Sequence, residues 1–86
     1  MAYQRLRDLR EDVDLTQTQL ARIINMSQTG YSQYETGTND IPTRILISLA
    51  LFYDTSVDYI LGITDTRTPY KMKKDIYIHK QKVNKH

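Results

Sequence analysis

The chain has 86 residues, no cysteine and a formal net charge of +2. This length fits one small domain, since most domains run to roughly 100–150 residues. The lack of cysteine excludes a disulfide scaffold, a thiolate zinc site and a cysteine nucleophile. The N-terminal segment has no apolar stretch typical of a secretory signal, and residues 45–53 are far fewer than the ~20 apolar residues of a membrane span. We therefore expect a soluble, cytoplasmic protein with no membrane partner.

Charge is distributed unevenly along the chain. Residues 1–66 carry five basic and nine acidic side chains, whereas residues 67–86 carry seven basic side chains and one acidic. Basic tails of this kind often bind polyanions, but they are equally often solvated, disordered ends. We predict a linker at 64–70 and a basic C-terminal tail at 71–86, with either a short strand at 76–78 or disorder.

Two helices and a tight turn are predicted in the first third of the chain. The first helix is predicted from apolar side chains at helical spacing: Tyr3, Leu6, Leu9 and Val13. Thr16 and Gln19 form a capping box that begins a second helix. Asn25 tolerates the left-handed conformation that ends a helix, and Ser27 is a good N-cap for the next. A turn of about three residues makes the two helices cross at roughly 90–120°.

Three further helices are predicted after this turn. The third covers about residues 28–35. Pro42 suits the first turn of a fourth helix, which extends to about residue 53 and is apolar almost all round, as is typical of a buried central helix. Ser56 caps a short fifth helix that Gly62 ends. The fold class is therefore all-α.

A more specific pattern lies in three stretches: LTQTQLA at 15–21, YSQYETG at 31–37 and SVDYIL at 56–61. Together with Ser27 and Pro42, they resemble the Cro/CI-type (XRE-like) helix-turn-helix family of phage and bacterial transcriptional regulators. The resemblance covers about residues 3–62. It implies a five-helix, repressor-like DNA-binding domain at 1–63.

The resemblance also implies which residues bind DNA. The third helix of such proteins enters the major groove, and its polar face supplies the candidates for base reading: Gln28, Thr29, Ser32 and Gln33. Glutamine can bond adenine through N6 and N7, and the threonine methyl can pack on thymine. Since no arginine or lysine lies on this face, we expect half-sites with at least one directly read A·T pair.

Other residues position the third helix. The candidates for phosphate contact, by resemblance, are Gln17, Asn39, Thr43 and Arg44. The resemblance further implies an ion pair between Arg10 of the first helix and Glu35 at the end of the third. Such a pair would fix the angle between the two helices.

Two features depart from what DNA binding favours. Gly30 lies inside the third helix, where glycine costs up to ~1 kcal/mol relative to alanine. It either lets the backbone approach DNA closely or only loosens the helix. Asp14 and Asp40 fall near the expected DNA side, where they oppose the attraction to phosphate that supplies most non-specific affinity.

The function implied is a sequence-specific regulator, a repressor, that binds double-stranded DNA as a homodimer. Two recognition helices about 34 Å apart would read a two-fold operator. Tyr59, Ile63 and the tail are candidates for the dimer contact. The alternative is an antitoxin-type interaction module, which neutralises a partner protein through its tail and autoregulates its operon.

An enzyme is not expected from this sequence, and neither is a cofactor or a metal. Its two histidines, His79 and His86, both lie in the tail without a carboxylate pattern suited to metal binding or general-base catalysis. There is no glycine-rich phosphate loop. The adjacent reading frame would separate the two candidate functions, since a small toxin-like neighbour favours the antitoxin.

Overall fold

The computed structural model describes residues 3–70, which form five α-helices and no strand. The helices are α1 (Gln4–Asp12), α2 (Gln17–Ile23), α3 (Gln28–Thr36), α4 (Thr43–Tyr53) and α5 (Val57–Leu61). The predicted all-α, five-helix fold is confirmed. Across this part of the chain, no helix is long and apolar enough to cross a membrane. The tail at 71–86, including the strand considered at 76–78, lies outside the described residues.

Side chains cap the starts of three helices, as the sequence predicts. The Thr16 hydroxyl accepts from the Gln19 backbone N–H at 3.1 Å, and the Gln19 side chain accepts from the Thr16 N–H at 2.8 Å. Ser27 and Ser56 accept from backbone N–H groups three residues on, in α3 and α5, at 3.1 and 3.0 Å. Each cap stabilises its helix by about 1 kcal/mol, because helix N-termini leave N–H groups without partners.

Left-handed residues end the helices and set the turns. Asn25, between α2 and α3, has φ of 59°, which confirms the prediction for that position. Asp14 and Asp54 adopt the same region, with φ of 57° and 54°, and were not predicted to do so. Aspartate and asparagine tolerate this region because their short polar side chains bond locally. Gly37 and Gly62 cap α3 and α5 with φ of 82° and 81°.

One cluster of buried side chains, with members from every helix, forms the core. Its largest fully buried apolar side chains are Tyr31, Leu6, Leu20, Ile45, Leu49 and Ile60. The prediction that α4 is a central buried helix holds for only part of its surface: four of its residues are buried in the core, but Leu51 and Phe52 are 44% and 42% exposed. A domain of this size does not hold enough chain to cover every side of its central helix. The second half of α4 therefore leaves apolar surface open.

Arg5 of α1 fastens the chain that follows α5. Its guanidinium donates to the carbonyl oxygens of Tyr59, at 2.8 Å, and of Thr64, and to the Asp65 carboxylate at 2.5 Å. It also lies 4.0 Å from the centre of the Tyr59 ring. One side chain thus joins the start of α1, the end of α5 and the segment after it.

The end of the described chain has further contacts with the body. The buried Thr55 hydroxyl donates to the Arg67 carbonyl at 2.6 Å, and the Tyr70 hydroxyl donates to the Asp58 carboxylate at 2.6 Å. The segment predicted as a linker, 64–70, is therefore held against the helices. Its status as a boundary between a domain and a tail stays a prediction.

Candidate nucleic-acid interface

The connection between α2 and α3 brings the beginnings of these two helices together. Residues 24–27 join them, and the Met26 N–H donates back to the Ala21 carbonyl at 2.9 Å. The left-handed Asn25 reverses the chain direction at this point. As a result, Gln28 at the start of α3 lies within hydrogen-bond distance of Gln17 at the start of α2.

The outer face of α3 holds the residues predicted to read bases. Tyr31 and Tyr34 are buried on the inner face, with their rings edge to face and centroids 6.3 Å apart. The four predicted residues are exposed or half-buried: Gln28, Thr29, Ser32 and Gln33. The aromatic inner face therefore seats the helix on the core and leaves the polar face available to a ligand.

Gln28 is oriented by a second glutamine. Its Nε2 donates to Gln17 Oε1 at 2.8 Å, and Gln17 Nε2 in turn donates to Glu35 Oε1 at 3.1 Å. A side-chain amide has two N–H donors and an oxygen acceptor. Gln28 therefore keeps one N–H and its oxygen for another partner, and Gln17 keeps one N–H.

Arg10 and Glu35 join α1 to the end of α3 through two hydrogen bonds. Arg10 Nε donates to Glu35 Oε2 at 2.7 Å and Nη2 donates to Oε1 at 3.1 Å, while Nη1 donates to the Leu15 carbonyl at 2.8 Å. Their side chains are only 12% and 5% exposed. Burial alone would raise the pKa of Glu35, but hydrogen bonds from Arg10 and Gln17 and the charge of Arg10 hold it below its ordinary value.

Two buried tyrosines lie beside this pair. The hydroxyls of Tyr31 and Tyr53 are both buried, and that of Tyr31 interacts with the Glu35 carboxylate. Burial, together with the negative charge of Glu35, raises the pKa of both phenols, that of Tyr53 to about 12. Both phenols are therefore neutral at physiological pH, and Glu35 carries the negative charge of this cluster.

The second glutamine of the outer face, Gln33, is also held by a neighbour. Asn39, in the loop after α3, donates from Nδ2 to Gln33 Oε1 at 2.7 Å, and its backbone N–H donates to the Gln33 carbonyl at 3.2 Å. The loop residue predicted to contact phosphate thus lies beside a residue predicted to read a base. One N–H of the Asn39 amide remains for a further acceptor.

The start of α4 supplies a cation near this loop. Thr43 and Arg44 are its first two residues, and both are exposed. Within residues 3–70, Arg44 forms no ion pair, whereas Arg5, Arg7 and Arg10 each pair with a carboxylate. Arg44 therefore has its full charge available for an anionic partner.

Gly30 faces the turn between α2 and α3. A Cβ atom built on it would lie 3.0 Å from Met26 Cε and 3.1 Å from the Ser27 hydroxyl that caps the helix. Met26 is partly buried against the core. The sequence left two interpretations of Gly30 open, a close approach of the backbone to DNA and a looser helix. Neither includes this contact, in which the lack of a side chain on Gly30 leaves room for the packing of the turn.

The part of the chain that the structure describes holds no group of three or more histidine, cysteine, aspartate or glutamate side chains that could bind a metal ion.

Asp14 and Asp40 are both exposed, so they remain able to repel phosphate.

Sequence reasoning missed the hydrogen bonds between the amides. It assigned Gln17 to phosphate and Gln28 to a base without placing them in contact, and it did not connect Asn39 with Gln33. These pairs are 11 and 6 residues apart, so no helical spacing indicates them. The helix-turn-helix geometry was the available signal, since a steep crossing after a short turn brings the two helix starts together.

Comparison with known proteins gives a consistent result. A model of the helix-turn-helix family (HTH_3) matches residues 6–60. The uncharacterised transcriptional regulator YobD of Bacillus subtilis is 43% identical over 76 residues, 88% of this chain and 68% of YobD. The antitoxin PezA of Streptococcus pneumoniae is 30% identical over 80 residues, 90% of this chain and 51% of PezA. The phage CTXphi transcriptional repressor RstR of Vibrio cholerae is 31% identical over 72 residues, 84% of this chain and 65% of RstR.

Proposed function

The chain belongs to the Cro/CI-type (XRE-like) helix-turn-helix family, and from this premise we propose that it is a sequence-specific transcriptional repressor that binds double-stranded DNA in the cytoplasm. The observation that carries the proposal is the outer face of α3, where Gln28 and Gln33 are each held by a second side chain. Amides held in this way lose less conformational freedom when they bind a base edge.

Direct readout is assigned to four residues of this face. The Gln28 amide keeps a donor and an acceptor, which together match N7 and the N6 amino group of adenine. The exposed Thr29 methyl would pack on a thymine methyl, and Ser32 and Gln33 would extend the reading surface along the helix. The resulting half-site contains at least one A·T pair, because this face carries no arginine or lysine for guanine.

Phosphate contacts are assigned to Gln17, Asn39, Thr43 and Arg44. Gln17 and Asn39 each retain one amide N–H while they orient a base-reading glutamine. Each of these two side chains would therefore contact a DNA phosphate and also hold a base-reading glutamine in place. Arg44 supplies the charge at the start of α4, where the helix dipole also favours an anion. Few phosphates are neutralised, which predicts a shallow dependence of affinity on salt.

A homodimer on a two-fold operator follows from the size of the reading surface, since one recognition helix reads only a few base pairs. Ile63 is 71% exposed just after α5, and Tyr59 lies half-buried beneath Arg5. We place the dimer contact at this end of the molecule. Repression follows when the dimer occupies DNA that the polymerase requires.

Selection of the purified protein against random DNA duplexes at near-physiological salt tests this function. The expected result is a two-fold motif whose half-sites contain an A·T pair, and Gln28→Ala or Gln33→Ala should relax base choice at single positions. Arg44→Ala should instead weaken binding to all sequences and reduce the salt slope by about 1. A folded protein that enriches no motif would refute the proposal.

A second candidate, an antitoxin-type interaction module, is supported by the similarity to PezA over 90% of this chain. The basic residues of 67–86 would then bind an acidic surface of a partner protein. Co-purification of the full chain with the product of a neighbouring small reading frame tests this candidate. Binding that survives removal of residues 71–86 would exclude the tail as the contact.

A further inference from the structure

The Glu35 carboxylate restricts how the Gln17 amide can be turned. An ionised carboxylate only accepts hydrogen bonds, so the amide that contacts it must donate. Both oxygens of Glu35 already accept from Arg10, and Oε1 also accepts from Gln17 Nε2 at 3.1 Å. If Gln17 were reversed, its oxygen would face a carboxylate oxygen in a half-buried site, where unpaired polar groups are costly. The need for Gln17 to donate a hydrogen bond to Glu35 therefore fixes the orientation of its amide.

This restriction passes on to Gln28. With its nitrogen toward Glu35, Gln17 turns its oxygen toward Gln28, which must then donate from Nε2, as it does at 2.8 Å. The nitrogen of Gln28 is thereby held on the side of α2 and its oxygen is left free. Glu35, which Gln28 does not contact, thus fixes which amide atom of Gln28 faces α2 and which faces outward.

We propose that Glu35 is a positioning residue for base specificity: through Gln17 it fixes the direction of the Gln28 amide and so selects adenine at the base pair that Gln28 reads. This inference rests on the proposed function. It adds that the ion pair between Arg10 and Glu35 determines which base is preferred, besides fixing the angle of α3.

The substitution Glu35→Gln separates the two roles because it keeps the shape of the side chain. Arg10 makes its shorter bond, 2.7 Å, to the Oε2 position, so the introduced oxygen takes that position and the introduced NH₂ takes the position of Oε1. The weaker bond from Arg10 Nη2 to Oε1, at 3.1 Å, is then lost. That NH₂ faces Gln17 with a donor. Gln17 must then turn its oxygen inward and its nitrogen toward Gln28, and Gln28 must turn its own oxygen inward.

The expected result is a change at one base position. The adenine preference at the position read by Gln28 should fall at least about fivefold in Glu35→Gln, the lower end of what one bidentate contact contributes. Guanine should gain there, because its N7 and O6 are both acceptors for the amide N–H groups that now face outward. A purely structural role for Glu35 would weaken binding to all sequences equally.

The test selects the wild-type chain and three variants from the same pool of random duplexes. Gln28→Ala identifies the position that Gln28 reads, and Arg7→Met is the matched control, since it removes an exposed arginine of α1 that pairs with Glu11, outside both the network and the proposed dimer contact. Arg7→Met should keep every base preference. A folded Glu35→Gln variant that keeps the wild-type adenine preference, or loses preference equally at every position, overturns the inference. So does a wild-type motif without adenine at that position.

Gln17→Ala provides the test if Glu35→Gln does not fold, because Gln17 lies at the start of α2 and outside the core. Without Gln17 the Gln28 amide is free to turn, so adenine preference should fall at that position more than at any other. An unchanged preference overturns the inference. The proposed function fails separately, when the wild-type protein enriches no motif at all.

Discussion

Arg5 and Arg10 lie on the same helix, five residues apart, and each fastens a distant part of the chain. Arg10 bonds Glu35 and the Leu15 carbonyl, and both side chains of its ion pair are nearly inaccessible, at 12% and 5% exposed. Arg5 bonds two carbonyls and Asp65, whose side chain is 99% exposed. The hydrogen-bond chemistry is the same, but the surroundings of the carboxylates differ completely.

This difference teaches that burial decides what each arginine contributes. A carboxylate in water loses little when its partner is removed, whereas a buried carboxylate without its partner keeps an uncompensated charge. The hydrogen bonds of the Arg10–Glu35 pair also continue through Gln17 to Gln28 on the outer face of α3, the proposed reading face. The Arg5 end holds two backbone carbonyls, an exposed carboxylate and an aromatic ring, all away from the reading face. We therefore expect stability and specificity to depend on Arg10, and local order after α5 to depend on Arg5.

The largest effect is expected from Arg10→Met, which replaces the aliphatic part of the side chain but removes the guanidinium group and its charge. Glu35 would remain buried without a cation, and the free energy of unfolding should fall by about 3 kcal/mol. Urea denaturation followed by circular dichroism measures this loss. In a double-mutant cycle with Glu35→Gln, the two losses should be strongly non-additive. Additive losses would show that the pair is not coupled.

A smaller loss is expected on acidification, because a protonated Glu35 still forms hydrogen bonds. The folded state holds the pKa of Glu35 below its ordinary value of 4.5. Its contribution to stability is therefore complete above that value and is lost as the pH falls through the lower, folded pKa. Urea midpoints measured between about pH 6 and 3 should decline less for Glu35→Gln than for the wild type. Parallel pH profiles would contradict the assignment to Glu35.

Local signals predicted the helices and their ends well. Thr16, Ser27 and Ser56 lie where the sequence indicates caps, and each accepts the expected backbone hydrogen bond. Such caps involve residues three apart, so the sequence alone contains the information. The left-handed Asp14 was not predicted, because aspartate adopts this region only when its neighbours require it.

Long-range contacts were predictable only where the family resemblance supplied them. The resemblance implied the pairing of Arg10 with Glu35, 25 residues apart, and the structure has both bonds. It gave no indication that Arg5 bonds a carbonyl 59 residues away. The exposure of Phe52 was missed for a similar reason, since composition does not state which side of α4 the short α5 covers. These features depend on how helices pack, which no local spacing encodes.

Arg5→Met should destabilise the protein less than Arg10→Met, by about 1–2 kcal/mol, the range for a few hydrogen bonds and a cation–π contact that stay partly solvated. The loss should concentrate after α5. Hydrogen exchange should therefore accelerate at Ile63, whose N–H donates to the Asp58 carbonyl, and stay unchanged in α2 and α3. Uniform acceleration across all helices would show that Arg5 supports the whole core.

The smallest effect is expected from Asp65→Asn. This variant neutralises the carboxylate that pairs with Arg5, just as Glu35→Gln neutralises the carboxylate that pairs with Arg10. The Asp65 carboxylate is almost fully exposed, so its ion pair is weakened by solvent and by salt. Arg5 would keep both carbonyl bonds and its position over the Tyr59 ring. Urea midpoints of the variant and the wild type should coincide at both low and high salt. A loss as large as that of Arg5→Met would show that the exposed carboxylate, rather than the carbonyls and the ring, holds the segment.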